Sequence, residues 1–335
     1  MSIRETLEQQ EKKYLSEYAM LSMNTLGRIE PEEQCDIRPV FQRDRDRILH
    51  CKSFRRLKDK TQVFLTPQGD HYRTRLTHTL EVSQNARTIA KALRLNEDLV
   101  EAIALGHDLG HTPFGHAGER ALNDICPLGF IHSEQSVRTV DILEKNGQGL
   151  NLTFEVRDGI KNHQTTGTPS TLEGKIVRLS DKIAYMHHDC DDAIRAGILT
   201  ESDFPKEICE VIGYNTNERL DSFIHDIIIN SEDINEIKMS KEVEKAMKKL
   251  REFMFERLYT NKEAKSEEGK AIGLIKTLYT HYCAHIEELP EDLLDRINKN
   301  QDPTERVVCD YIAAMTDRYA ISVFEKLYVP KAWQG

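Results

Sequence analysis

The residues best placed to do chemistry lie together in one stretch, Gly106 to His116, which holds three histidines and an aspartate. An adjacent histidine and aspartate, His107 and Asp108, offer one imidazole nitrogen and one carboxylate oxygen to the same point in space. This mixed ligand set suits divalent transition metals. Any one of these histidines is better explained as a structural residue at a helix end, but the four residues together favour a metal or catalytic site.

The elements around this stretch are predicted to aim its side chains at one cavity. The preceding apolar residues have helical spacing and predict a buried helix that ends at the His-Asp pair; they are Leu99, Val100, Ile103, Ala104 and Leu105. Gly110 and Thr112-Pro113 then turn the chain, and Pro113 suits the first position of a new helix.

Two histidines have helical positions that matter, His116 of this stretch and His78. His116 and Glu119 stand three residues apart on the helix predicted beyond the turn, so they share a face. A carboxylate that holds an imidazole in one tautomer is the arrangement that a general acid or base needs; an ion pair on the helix surface is the alternative. His78 lies in the first turn of a helix predicted over Leu76 to Leu93, where a lone histidine is more often a core or capping residue.

A second informative stretch is the helix predicted after Pro169, where Ser170 and Glu173 form a capping box. An apolar stripe lines one side of it, and at about 100° per residue a polar stripe lies roughly opposite. A polar stripe is usually solvated surface, but this one mixes cations, carboxylates and a phenol, which fits a phosphate-and-sugar site better. Its members are Arg178, Asp181, Lys182, Tyr185 and Asp189.

Composition and periodicity predict an all-α protein, because leucine, isoleucine, alanine, glutamate and lysine are abundant and β-branched alternation is scarce. The exception is a short β-hairpin predicted near 61–75. Residues 43–58 and 307–327 each predict one helix, and the polar residues 261–270 predict a linker. The 335 residues can bury a large core. We predict three regions in the chain: N-terminal helices with a basic segment (1–60), a catalytic core (61–200) and a C-terminal helical region that packs on the core (201–335).

Charge and cysteine usage exclude several classes of protein. The net charge of −10 argues against general coating of nucleic acid. Residues 43–60 carry eight Lys or Arg against three Asp or Glu, which suggests a phosphate-rich ligand or a nucleic-acid groove; a solvated helix face explains them equally well. Seven scattered cysteines give neither a disulfide framework nor a thiolate zinc site.

The sequence also predicts a cytoplasmic protein with no membrane partner. Its N-terminus has no apolar signal sequence, and it contains no window of about 18 apolar residues.

The order His78, His107-Asp108, Asp181 resembles the H…HD…D metal signature of the HD phosphohydrolase superfamily. The flanking sequences narrow the resemblance to the dGTPase-like deoxynucleoside triphosphate triphosphohydrolases, in the same order from about residue 20 to residue 325, and residues 200–300 are the least characteristic. The matching segments are FQRDRDRI from Phe41, FRRL from Phe54, KTQVF from Lys60, RLTHTLEV from Arg75, GHDLGHTPFGH from Gly106, KIVRLSDKIAY from Lys175 and DYIAAMTDRYA from Asp310.

The resemblance implies an all-α HD-domain enzyme that hydrolyses a dNTP between its 5′ oxygen and its α-phosphorus. The products would be a deoxynucleoside and inorganic tripolyphosphate, with dGTP among the substrates. Every position that carries a role in the family has the expected residue type here. By that match the metal ligands are His78, His107, Asp108 and Asp181; the catalytic histidine, its acidic partner and a second histidine near the scissile bond are His116, Glu119 and His132; the phosphate contacts are Arg75, His111, Lys182 and Tyr185; and Gln62 and Asp189 hold the 3′-hydroxyl.

The same resemblance implies cofactors and partners. The HD site would take manganese, iron, nickel, cobalt or zinc, and magnesium would join through the triphosphate. The family often forms homo-oligomers, here a dimer, tetramer or hexamer, with dNTPs or single-stranded nucleic acid as effectors. Two other functions stay open: an HD-type phosphodiesterase or 5′-nucleotidase that acts on mononucleotides, and a nucleotide sensor or single-stranded nucleic-acid binder that uses residues 43–60.

Overall fold

The computed structural model describes residues 1–62, 73–258 and 262–330. Residue 258 and residues 262–266 are described by their backbone alone. Over the described residues the protein is helical without a strand, so the predicted all-α fold is confirmed. Two isolated antiparallel bridges join Arg28 to Thr153 and Thr61 to Thr74. The second bridge lies at the base of the hairpin predicted near 61–75, of which 63–72 lie outside the described residues.

The α-helices of the described residues are numbered in chain order. The first nine are α1 (Ile3–Tyr14), α2 (Val40–Leu49), α3 (Lys52–Arg56), α4 (Arg75–Ala92), α5 (Glu97–Gly106), α6 (Gly115–Ile125), α7 (His132–Arg138), α8 (Glu144–Gly147) and α9 (Phe154–Lys161). The others are α10 (Leu172–Arg195), α11 (Lys206–Ile212), α12 (Thr216–Ser231), α13 (Lys241–Leu258), α14 (Lys262–Ala284), α15 (Glu291–Asn300), α16 (Thr304–Ala313) and α17 (Asp317–Tyr328).

The chain folds into two compact units, each built from segments that are distant in sequence. The first comprises Met1–His50, His78–His107 and Leu150–Lys262; the second comprises Cys51–Thr77, Asp108–Gly149 and Glu263–Gly335. The division predicted at residues 60 and 200 stays a prediction. Among the described residues, no helix has the length and apolar character needed to cross a lipid bilayer.

Helix α5 is the centre of the first unit, where it packs against α2, α9 and α10. Apart from the partly exposed Glu101, its residues from Leu99 to Leu105 are apolar and buried, as expected of a helix surrounded by others. Asn96 caps its N-terminus by accepting the Leu99 N–H. A Cβ at Gly106 would come within 2.5 Å of Ile160 on α9, so this glycine lets the two helices approach. The predicted buried helix is confirmed.

Helix α10 packs against α5, α9, α12 and α13 in the same unit. The capping box predicted for it is wrong: the N-cap is Thr171, and the Ser170 hydroxyl donates to Asp158 instead. Glu173 is buried and accepts backbone N–H groups from other segments of the first unit. Its carboxylate therefore ties neighbouring loops to α10 rather than closing a cap.

The second unit has its own apolar core, formed by one side of α6, α14, α16 and α17. The helices α14, α16 and α17 come from the C-terminal segment, and α6 is the helix that follows the His-rich stretch. Buried members of this core include Ala121, Leu122, Ile275, Leu278, Val308, Ile312 and Ala320.

Three predicted boundaries are wrong for local reasons. Residues 43–58 are not one helix, because the Cys51 sulfur accepts the Phe54 N–H and starts α3. Residues 307–327 are divided between α16 and α17, because the Thr316 hydroxyl caps α17. The predicted linker 261–270 belongs to α14 from Lys262 onward, since its glutamates, lysines and alanines are strong helix formers.

Candidate metal and catalytic site

His107 lies directly after the buried helix α5 and is itself fully buried. Its Nδ1 lies 2.6 Å from the carbonyl oxygen of Ala104. Because a carbonyl only accepts, Nδ1 carries a proton, and a neutral His107 therefore has its lone pair on Nε2. The end of α5 thus presents a ring nitrogen in the form that binds a metal.

The first unit brings three predicted ligands together at the Asp181 carboxylate. Its Oδ1 lies 3.0 Å from His78 Nε2 and 3.7 Å from His107 Nε2. The two imidazole rings meet edge to face, with 5.6 Å between centroids. Burial would raise the pKa of Asp181, but the hydrogen bonds and charges of His107 and His78 outweigh it and hold the pKa well below its usual range. Asp181 is therefore a carboxylate.

This arrangement has the chemistry of a divalent-cation site. An ionised carboxylate only accepts, and a lone pair on His107 Nε2 also only accepts, so a cation bound by both would satisfy the two groups. Two imidazole nitrogens and a carboxylate oxygen form a donor set that binds manganese, iron, cobalt, nickel or zinc. The residues present fit a divalent transition metal.

Asp108 follows His107 in the chain and is described with the second unit. One carboxylate oxygen accepts a hydrogen bond from Arg75 Nη1 at 2.8 Å, and the other lies 3.2 Å from His111 Nε2. All three side chains are buried. The ion pair and the imidazole fix the orientation of this carboxylate.

The Arg75 guanidinium is buried and has hydrogen-bonding capacity to spare. Its Nη1 is engaged by Asp108, whereas Nε and Nη2 have no hydrogen-bond partner among the described residues. A Cβ at Gly115, whose φ is +55°, would come within 2.9 Å of Nη2, so this glycine leaves room for the guanidinium. Buried donors without an acceptor cost about 1–3 kcal/mol each. An anion such as a phosphate would satisfy them.

The turn after the His-Asp pair is longer than predicted. The next helix, α6, begins at Gly115 and not at Pro113, because Phe114 has a left-handed backbone with φ of 61°. The Phe114 N–H donates to the Asp317 carboxylate at 3.0 Å. Asp317 thereby holds the turn that precedes His116.

The second unit brings the predicted catalytic residues together around Glu119. One carboxylate oxygen lies 3.0 Å from His116 Nδ1, and the other lies 2.8 Å from His132 Nδ1. The second oxygen also accepts the His132 backbone N–H at 2.8 Å. The His132 ring stacks on His111 with 3.9 Å between centroids. One carboxylate therefore orients two imidazoles, and a third ring supports them.

The pKa values of two groups define the charge of this cluster. Burial would raise the pKa of Glu119, but hydrogen bonds from His116 and His132 hold it far below its usual range. Burial, together with the positive charge of Arg75, lowers the pKa of His111 well below its ordinary value. At neutral pH the cluster therefore contains a carboxylate beside a neutral His111.

The remaining predicted substrate-binding residues are Gln62 and three residues of α10. Lys182, Tyr185 and Asp189 recur at intervals of three and four residues along α10, which places them beside Asp181 on one side of the helix. Lys182 and Tyr185 are partly exposed and Asp189 is buried. Burial lowers the pKa of Lys182. Gln62 belongs to the second unit, where it is buried and its Oε1 has no hydrogen-bond partner among the described residues.

Three residues of the first unit were not predicted. His188 Nδ1 lies 3.3 Å from His78 Nδ1, and His188 Nε2 contacts the Glu81 carboxylate. His163 packs edge-on against the buried histidine at the end of α5, with 5.0 Å between ring centroids. Helical spacing could have indicated two of them, because Glu81 follows His78 by three residues and His188 follows Asp181 by seven. His163 lies beyond the end of α9 and has no periodic signal.

Two family models match parts of this chain. The HD domain family matches residues 75–186. A phosphohydrolase-associated domain family matches residues 237–326.

Curated relatives match almost the whole chain. A deoxyguanosinetriphosphate triphosphohydrolase-like protein from Caldanaerobacter subterraneus subsp. tengcongensis is 54% identical, over 99% of this chain and 98% of the relative. A protein of the same name from Clostridium perfringens is 50% identical, over 99% of both chains. Among solved structures, a phosphohydrolase from Bacteroides thetaiotaomicron has a similar fold, with a TM-score of 0.52 and 19% identity over 84% of this chain and 67% of that one.

Proposed function

Because this chain belongs to the deoxyguanosinetriphosphate triphosphohydrolase-like family of HD-domain proteins, we propose that it is a metal-dependent hydrolase of deoxynucleoside triphosphates. It would cleave dGTP and other dNTPs between the 5′ oxygen and the α-phosphorus, and release the deoxynucleoside and tripolyphosphate. The observation that carries the proposal is the convergence of two imidazole nitrogens, His78 Nε2 and His107 Nε2, on the ionised Asp181 carboxylate.

The proposed metal ligands are His78, His107, Asp108 and Asp181. A bound divalent ion would polarise a phosphoryl oxygen and lower the pKa of water from about 16 towards about 7. Manganese, iron, nickel, cobalt and zinc suit these donors, and magnesium would join through the triphosphate.

Arg75, His111, Lys182 and Tyr185 are the proposed phosphate contacts. Arg75 is the strongest of them, since its unused N–H groups are already buried and a guanidinium binds phosphate in a bidentate manner. His111 is neutral and would contribute a hydrogen bond rather than a charge.

Gln62 and Asp189 would hold the 3′-hydroxyl of the deoxyribose. Both side chains are buried, and a buried polar group built for a hydroxyl discriminates strongly against ligands that lack it.

His116 is the proposed proton-transfer residue, with Glu119 and His132 as its support. Glu119 accepts a hydrogen bond from Nδ1–H of His116, so the atom left to exchange a proton with the α-phosphate or the leaving 5′ oxygen is Nε2. The His116 side chain is about half exposed, which leaves it accessible to substrate. General acid or base catalysis of this kind contributes about 10²–10⁴-fold to rate.

The nucleic-acid alternative is weakened by the ion pairs of the basic segment. Arg43 and Arg47 contact Glu32, and Arg45 contacts Asp98. These cations are already engaged within the first unit, so fewer charges are available to a phosphate backbone than the sequence suggested.

Product analysis tests the proposal. The purified protein is incubated with each dNTP singly and with all four mixed, in manganese or magnesium, and the products are identified by phosphorus NMR. We expect tripolyphosphate and deoxynucleoside from the wild type and no turnover from Asp181→Asn. Turnover only in the mixture would indicate a dNTP effector. Monophosphate with pyrophosphate, or activity confined to mononucleotides, would overturn the proposal in favour of the phosphodiesterase or nucleotidase alternative.

A further inference from the structure

We propose that Glu81 and His188 form a hydrogen-bond relay that fixes His78 in the tautomer that binds the metal. Neither residue belongs to the predicted ligand set, and both would act through His78, so they are positioning residues. The inference rests on the proposed metal site and adds the groups that prepare one of its ligands.

The contacts of the relay lie entirely within the first unit. His78 and His188 are each 1% exposed, and their Nδ1 atoms lie 3.3 Å apart. The two rings are nearly perpendicular, at 78°, with 5.2 Å between centroids. On the far side of His188, Nε2 contacts the Glu81 carboxylate. The chain of contacts therefore runs from a partly exposed carboxylate through two buried imidazoles to Asp181.

When a divalent ion is bound at the proposed site, His78 Nε2 carries no proton, and the protons of this chain then have one arrangement. A carboxylate only accepts, so His188 carries its proton on Nε2, towards Glu81. A neutral His188 then has its lone pair on Nδ1, and the 3.3 Å contact requires His78 to donate from its own Nδ1. His78 Nε2 is left with the lone pair, and this nitrogen is the one that lies 3.0 Å from Asp181.

His107, the other proposed imidazole ligand, is held in the same tautomer by a different hydrogen bond. His107 donates from Nδ1 to the Ala104 carbonyl oxygen, which leaves Nε2 for the metal. His78 makes the corresponding bond to His188 instead of to a backbone carbonyl. Groups that hold a metal-binding imidazole in this way typically change metal affinity by about 10–100-fold when removed.

Helix geometry explains why these four residues meet. His78 and Glu81 are three residues apart on α4, and Asp181 and His188 are seven residues apart on α10. Both intervals keep a pair on one helix face. Each helix therefore supplies one member of the proposed metal site and one member of the relay.

Manganese affinity is the direct test, since it does not depend on turnover. The concentration of free Mn²⁺ is measured by electron paramagnetic resonance while metal-free protein is titrated with Mn²⁺. Binding that is lost in His78→Ala is assigned to the proposed site. We expect His188→Leu to weaken binding by about 10–100-fold. We expect His188→Asn to bind more tightly than His188→Gln, because the asparagine amide lies near the Nδ1 position and the glutamine amide lies near Nε2.

Matched controls separate the relay from general damage. His225 is exposed on α12, so His225→Leu should leave manganese affinity unchanged. Glu81→Ala should weaken it, whereas Glu97→Ala, which removes a surface partner of Arg87, should not. Thermal unfolding of the metal-free variants reports their folding.

The outcomes distinguish this inference from the proposed function. Wild-type affinity in His188→Leu, or equal affinity in His188→Asn and His188→Gln, would overturn the relay while the metal site stands. Manganese binding that His78→Ala leaves unchanged would overturn the proposed metal site and the relay together.

Discussion

At the scale of single residues, Glu119 joins the two imidazoles of the candidate catalytic cluster. Its two carboxylate oxygens accept from the rings of His116 and His132 and from one backbone N–H. Those bonds keep it ionised, because they lower its pKa by more than burial raises it. A permanent carboxylate fixes both imidazoles in the tautomer with a proton on Nδ1.

Glu119→Gln is expected to lower kcat by about 10²–10⁴-fold, because the amide replaces a charge and presents a donor to one of the two histidines. Metal content should stay at the wild-type level, since Glu119 is not a proposed ligand. Steady-state kinetics with elemental analysis measures both. Glu134→Gln, an exposed glutamate on α7, is the control. A variant with unchanged kcat would remove Glu119 from the mechanism.

Sequence spacing revealed only half of this cluster. The pair of His116 and Glu119 follows from their interval of three residues on one helix. The bond from Glu119 to His132 joins residues 13 apart on two different helices, and helical periodicity carries no information about such a contact. The resemblance to a family, rather than the spacing, placed His132 among the candidates.

At the scale of elements, the C-terminal helices of the second unit hold two of its loops. Asp317, in the first turn of α17, accepts from the Thr61 N–H and hydroxyl with one oxygen and from the Phe114 N–H with the other. Lys60 donates to the carbonyl oxygens of His111 and Ala313. The segments that carry Gln62 and His116 are thereby tied to the ends of α16 and α17.

Asp317→Ala is expected to lower the free energy of unfolding by about 3 kcal/mol, because it leaves two buried N–H groups without an acceptor. Turnover should fall as well, since the turn before His116 loses its anchor. Chemical denaturation measures the first effect. Asp292→Ala is the matched control, because Asp292 also lies in the first turn of its helix, α15, but is exposed. Equal stability of the two variants would contradict the anchoring role.

Helices with strong apolar periodicity were predictable, and their interruptions were not. Helix α5 ends where predicted, because Leu99, Ile103 and Leu105 are apolar and helically spaced up to the His-Asp pair. The breaks before α3 and α17 depend on single capping side chains, Cys51 and Thr316, within otherwise periodic runs. Such local hydrogen bonds compete with the helix without changing its pattern.

At the scale of the whole molecule, burial of charge makes stability depend on pH. Lys60 is buried, and burial lowers its pKa to about 7, although the charge of Asp317 opposes the shift. The unfolded chain has the ordinary lysine pKa of about 10.4. Between these values unfolding takes up a proton, so the contribution of Lys60 to stability rises with pH and is constant below about pH 7.

The free energy of unfolding of the wild type, relative to Lys60→Met, should therefore increase from pH 7 towards pH 10. The slope should be at most about 1.4 kcal/mol per pH unit. Urea denaturation across this range measures it, and Lys58→Met, at an exposed neighbouring lysine, should show no such difference. A pH-independent difference for Lys60→Met would mean that Lys60 keeps its proton over the whole range.

The position of the broken bond tests the central claim most directly. Hydrolysis of dGTP, alone and with the other dNTPs, is carried out in water enriched in oxygen-18, and the products are analysed by mass spectrometry. Attack of water on the α-phosphorus predicts one heavy oxygen in the tripolyphosphate and none in the deoxyguanosine. Heavy oxygen in a monophosphate or pyrophosphate, with no tripolyphosphate formed, would contradict the account.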